Sequence, residues 1–357
     1  MQSQHFCLIF LLCAWRSLAG HASWEQPVDN STMLHHDKRY FTVGIPGQGT
    51  ANSIGENSQP WPNAKIRYCF ADDEAETELN DHVISGMQLW YEHGLNENVF
   101  KMVKIGRTEC MGDRANHLVV SYNGQGHLGS SVGKIVANPP DQPGPSMMLS
   151  TLDSVGMLDV RANVAHEIGH AWGLLHEHQR PNLWSAFNYF TGSSQYYDAF
   201  LFTCQNMRDY QAKLAEHGQG VMDNACKLRS AAEAIDFSAK EYLPILARGV
   251  FREPDFITSP DAVDWDSLML YASGCGGAGV ASPGNDQRAP VLQRRDGTAL
   301  SPIVLKTQPS VMDVAALSAL YAEAERSMSD MTLLMDPKHP KNSRFRDLFK
   351  SSSGRCL

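Results

Sequence analysis

The 357-residue sequence contains no apolar run long enough to cross a membrane. Its longest, Phe6 to Trp15, has ten residues, against the roughly 20 that a spanning helix needs. A basic excess is also missing. Thirty Lys and Arg face 39 Asp and Glu, a net charge of −9, which speaks against a nucleic-acid binder. Cysteine is sparse, at eight residues, so disulfides cannot stand in for a packed core. The core must come from the 43% of hydrophobic residues, and that share is enough for one large domain or two ordinary ones.

The front of the chain has an export pattern. The run Phe6 to Trp15 suits the apolar segment of a signal peptide, and small residues follow at Ser17, Ala19, Gly20 and Ala22. No Lys or Arg precedes the run, which is a departure from that pattern. The expectation is a signal over residues 1–22 and a secreted, extracellular product without a membrane anchor. Residues 23–60 are rich in Gly, Ser, Asn, Pro and Gln and read as a prosegment or extended lead. Lys38-Arg39 is a candidate cut within it, and Asn30-Ser31-Thr32 is a glycosylation sequon on the side such a cut removes. Export makes oxidised cysteines expected. Cys204 and Cys226 are a candidate local pair, and the other pairings stay open. Residues 326–357 read as a basic tail: Asp336 to Leu357 alone hold six basic and two acidic residues.

Hydrophobic periodicity predicts an α+β order. Ile66 to Phe70 reads as a strand. Leu79, Val83, Ile84, Met87 and Trp90 recur at helical spacing, with Gly94 as a stop. Strands are expected at Val99 to Ile105, Leu118 to Tyr122 and Ser146 to Thr151, with a Gly/Ser-rich turn region over Gly124 to Gly133.

Val160 to Gly173 is a helix candidate. Val160, Val164, Ile168 and Ala171 fall on one arc, while His166 and His170 fall opposite, with Glu167 at the boundary. Residues four apart lie one turn apart, so His166 and His170 can grip one small cation. Gly173 lets the helix end and the chain turn sharply, so that His176 returns as a third ligand. Three neutral imidazoles leave zinc an open position for water. Glu167 then stands beside that water as a general base.

The run from His166 to Pro181, H-E-I-G-H-A-W-G-L-L-H-E-H-Q-R-P, resembles the zinc site of the metzincins, and Glu177 after the third histidine resembles the astacin family. The later Ser267-Leu-Met269-Leu-Tyr271 is similar to that family's methionine turn. The resemblance implies a metzincin catalytic domain over about 61–325, with a mixed twisted sheet and zinc helix above and an irregular lower part ending on a helix. It implies one catalytic Zn2+ held by His166, His170 and His176, with Glu167 and Tyr271 catalytic. Met269 would form an apolar floor. Trp61-Pro62-Asn63 resembles the start of such domains and Ser130-Ser131-Val132-Gly133 a segment ahead of the zinc helix. Met148 to Ser150 would be the substrate-binding edge strand, and Ser310-Val-Met-Asp313 a capping box opening the last helix. The implied activity is a secreted zinc endopeptidase acting on proteins or peptides.

The sequence also departs from the family. Leu270 replaces a histidine, and Asn182 and Leu183 replace the usual Asp and Arg. No clear inhibitory aspartate stands in the lead, where Asp29 and Asp37 are the candidates. Glu177, which in the family receives the trimmed N-terminus, follows a long lead here. The stretch from His176 to Met269 is long, so 199–246 reads as a largely helical insertion, either shaping the cleft or decorating the surface. Another metzincin branch and a zinc-bound module without turnover are the competing readings.

Overall fold

The computed structural model describes residues 58–135, 144–180, 183–184, 199–245 and 263–322. The signal, Lys38-Arg39, the sequon, Asp29, Asp37, Asn182, Cys356 and the tail lie outside the described residues. In chain order the first half contains β1 (Ser58–Gln59), β2 (Lys65–Phe70), α1 (Asp73–Glu92), β3 (Lys101–Lys104), α2 (Arg107–Gly112) and β4 (Leu118–Tyr122), then β5 (Gly129–Ser130), β6 (Lys134–Ile135), β7 (Ser146–Leu149) and α3 (Val160–Trp172). The second half contains β8 (Phe200–Phe202), α4 (Tyr210–His217), α5 (Gln219–Ala225), α6 (Arg229–Ala234), β9 (Ala281–Ser282), β10 (Asn285–Asp286), β11 (Leu292–Asp296) and β12 (Ala299–Pro302). A last helix, α7, covers the described residues 311–322. The class is α+β, as expected. Among the described residues no helix is long and apolar enough to cross a membrane.

The main sheet has the order β3-β2-β4-β7-β5, parallel except for β5. Alternation along β2 sorts its two faces. Ile66, Tyr68 and Phe70 join the main core with Leu118 and Val120, while Cys69 faces the other way onto Cys110 and Val119. Cys69 and Cys110 form a disulfide that ties β2 to α2. Helix α1 starts where the Asp72 carboxylate accepts the Ala75 amide at 2.8 Å, with Asp73, Glu74 and Glu76 in the first turn beside the positive helix end. Its Leu79, Val83 and Trp90 are fully buried, each worth roughly 1.5–3 kcal/mol of burial. The Trp90 indole donates to the Ala165 carbonyl at 2.8 Å, locking α1 against α3.

A second core joins Phe200, Tyr210, Met222 and Phe237 of the 199–245 segment to Leu183, Leu270, Val291 and Leu292. Strand β8 pairs with β11, and Cys204 and Cys226 form the disulfide considered from sequence. The segment therefore supplies much of this core. Leu270, the departure from the methionine-turn pattern, is fully buried within it. An imidazole there would need a polar partner.

Two expectations need correction. The strand over Val99 to Ile105 shrinks to Lys101–Lys104. Asn96 captures the start of it: its side chain accepts the Asn98 amide, and its carbonyl accepts those of Val99 and Phe100. The strand over Met148 to Ser150 is not the sheet edge. β7 ends at Leu149, and Gly129 and Ser130 pair outside it with Met148 and Met147, which places β5 at the edge. The turn-rich composition of 124–133 hid this two-residue strand.

Candidate metal centre

Helix α3 begins where Asp159 accepts the Ala162 amide at 2.8 Å. It ends at Gly173, whose φ of 112° is a left-handed conformation that glycine reaches at no steric cost. The amides of Gly173 and Leu174 close back on the carbonyls of His170 and Gly169. The chain then returns, and His176 sits just ahead of a 3₁₀ turn over Glu177–Gln179. The helix is not amphipathic in its surroundings, as its pattern suggested. Every residue from Ala162 to Trp172 is buried, with His166 against the Leu268 carbonyl and Gly169 against Met269.

The three histidines meet as the spacing predicted. Their Nε2 atoms lie 3.1 Å (His166 to His170), 3.2 Å (His166 to His176) and 3.0 Å (His170 to His176) apart. Each Nδ1 faces an oxygen: the Leu268 carbonyl at 2.8 Å, the Leu174 carbonyl at 2.7 Å and Gln179 Oε1 at 2.8 Å, respectively. A carbonyl oxygen can only accept, so each Nδ1 carries the proton and each Nε2 a lone pair. Burial drives His166 down to about 3 and His170 to about 4, so both rings are neutral near pH 7. Three converging lone pairs repel one another unless a cation lies among them. Nitrogens bound to a tetrahedral zinc ion lie about 3.3 Å apart, so the donor set fits that ion in number, type and spacing.

Glu167 is buried and lines a cavity of about 310 Å³ together with His166 and Tyr271. The Tyr271 ring lies 5.8 Å from that of His166 and 4.4 Å from that of His176. Burial, with Glu241, Tyr242 and Glu167 nearby, pushes its phenol well above its ordinary value, so it stays protonated. Asp209, Ser238, Glu241 and Tyr242 also line the cavity, and the Tyr242 ring lies 5.3 Å from that of Tyr271. All four belong to the 199–245 segment, which therefore shapes the cleft. Arg288 also reaches the cavity, but its Nε and Nη2 donate to Asp286 at 2.8 Å and its Nη1 to the Gly156 carbonyl at 3.0 Å.

The turn carrying Met269 is tied to the third histidine: the Glu177 amide donates to the Met269 carbonyl at 3.1 Å. Asp313 at the start of α7 holds the same turn, accepting Ser267 Oγ at 2.7 Å and the Leu268 amide at 2.8 Å. Asp313 and Ser310 also form the expected reciprocal cap. Glu177 pairs with Arg180 at 2.7 Å, both buried, and accepts the Asp264 amide at 3.3 Å. Burial pushes its carboxyl up to about 7 against the pull of Arg180. The sequence reading assigned no role to Gln179 or to the carbonyls of Leu268 and Leu174. An amide three residues beyond a ligand histidine was the one legible signal.

No family model matches the sequence, and no curated protein matches it. Among solved structures the chain is similar to high choriolytic enzyme 1, a hatching enzyme zinc-protease from the medaka fish Oryzias latipes. The identity is 14% and the TM-score 0.39, over 74% of this chain and 94% of that one. It is also similar to myroilysin, at 14% identity and a TM-score of 0.38, over 79% of this chain and 94% of that one.

Proposed function

We propose that the protein is an exported zinc endopeptidase of astacin type. One observation carries this reading: three buried Nε2 lone pairs converge, within 3.0–3.2 Å of one another, and His166 lines one cavity with Glu167. His166, His170 and His176 would hold a single zinc ion. When bound, zinc supplies Lewis acidity, lowering the pKa of a water it holds to about 7. Glu167 takes the proton of the attacking water and passes it to the leaving amine. Tyr271, kept protonated by its surroundings, donates a hydrogen bond to the oxygen on which negative charge develops. An extended substrate chain pairs with the backbone at the β5 edge, and the 199–245 segment contributes lining to the cavity beside Glu167. The two disulfides suit an oxidising compartment and agree with export. In the accompanying layout, residues 1–22 are a signal, 23–60 a removable lead, 61–325 the peptidase domain and 326–357 a basic tail.

Digestion of casein by the secreted protein, with and without a chelator, tests this reading. Activity lost with chelator and restored by zinc is expected. Digestion indifferent to chelator would overturn it.

A further inference from the structure

The three histidines are steadied in unequal ways. His166 and His170 donate to backbone carbonyls, of Leu268 and Leu174. His176 instead donates to a side chain, Gln179 Oε1 at 2.8 Å. Gln179 is fully buried. Its Nε2 donates to the carbonyls of Lys240 at 3.2 Å and Leu243 at 3.3 Å. Two carbonyls on one side of an amide can only accept, so they fix which end is nitrogen and turn the oxygen toward His176. The backbone is clamped as well. The Ile245 amide donates to the Gln179 carbonyl at 3.0 Å, and His178 donates from Nε2 to the Glu241 carbonyl at 2.9 Å. Each of these anchors lies between residues 240 and 245, inside the segment that reads as an insertion.

We propose that Gln179 is a positioning residue through which the 199–245 segment sets the tautomer and orientation of His176, and with them the metal affinity of the site. The inference rests on the zinc reading above. An acceptor held at Nδ1 keeps the proton there, leaves the lone pair on Nε2 and raises that nitrogen's basicity. A segment outside the His166–His176 run thereby takes part in the metal centre without supplying a ligand.

Two variants of the full secreted chain separate this role from a merely structural one. Gln179→Leu removes the acceptor for His176 and both donors to the segment. Gln179→Glu removes the donors but keeps the acceptor. Zinc affinity is read by competition with a chromophoric chelator, and folding by the melting temperature of the metal-free protein. The expected result is zinc binding weakened about 10- to 100-fold in Gln179→Leu and by a smaller but measurable factor, about 3- to 10-fold, in Gln179→Glu, whose acceptor has lost its anchors on Lys240 and Leu243. Unchanged affinity in either variant, or an equal loss in both, would overturn the inference. Should Gln179→Leu fail to fold, Gln179→Met takes its place under the same criteria. Absence of zinc binding by the unaltered protein would instead sink the metal centre, and this inference with it.

Discussion

Met269 occupies the space that a side chain at Gly169 would need. A Cβ built on Gly169 would lie 2.7 Å from the Met269 sulfur and 3.0 Å from the Trp90 ring. The glycine between the two helical histidines is thus matched to a methionine a hundred residues later. The layer between α3 and the Met269 turn is packed through that contact, with Trp90 pinned in turn by its bond to Ala165. Gly169→Ala is expected to overpack this layer and destabilise the fold by about 1–3 kcal/mol. Chemical denaturation of the two proteins checks it, and equal midpoints would contradict the packing account.

Glu167 and Tyr271 share the cavity, the proposed mechanism gives them different tasks, and substitution separates these. Glu167→Gln is expected to retain zinc and to lower kcat by about 10²- to 10⁴-fold, since a general base is removed. Tyr271→Phe removes a donor from the charged oxygen and is expected to lower kcat by about 10²- to 10³-fold with KM little changed. Metal analysis and steady-state kinetics on one peptide measure both. Full activity in Glu167→Gln would contradict the assigned base.

Asp313 gives the fold a pH signature. Burial, with Asp264 adding to it, pushes its carboxyl up to about 6 from an ordinary 3.8, against the bonds from Ser267, Ser310 and Leu268. A raised carboxyl binds its proton more tightly in the folded state. Its stabilising contribution is therefore complete below pH 3.8 and is lost as pH rises through about 6. Asp313→Asn does not titrate. The stability of the unaltered protein relative to Asp313→Asn is expected to fall between those pH values by at most about 3 kcal/mol. Denaturant unfolding of both metal-free proteins at pH 4, 5 and 6 checks this. A difference that does not change with pH would contradict it.

Much of the metal centre was legible because its geometry is local. His166 and His170 are one helical turn apart, Gly173 ends the helix, and His176 follows within the next turn, so spacing alone brought the three together. The capping box at Ser310 and Asp313 was legible for the same reason. The contacts that hold the site come from far along the chain. The carbonyl of Leu268 meets His166 across 102 residues, and Lys240 meets Gln179 across 61. Backbone carbonyls carry no side-chain signature, so such partners cannot be read from composition or period. The edge strand was misplaced because β5 is two residues long and sits among turn residues. The contribution of 199–245 to the second core was hidden because its helices are short and bury few residues each.

The central claim is that three neutral imidazoles hold one zinc ion beside Glu167. Stripping the secreted protein with a chelator, titrating zinc back and recording X-ray absorption at the zinc edge tests it most directly. The account predicts one ion per chain, a first shell with three nitrogen ligands, and peptidase activity returning in proportion to zinc bound. It also predicts that His176→Ala abolishes all three. Binding without histidine ligation, or activity that returns without zinc, would contradict it.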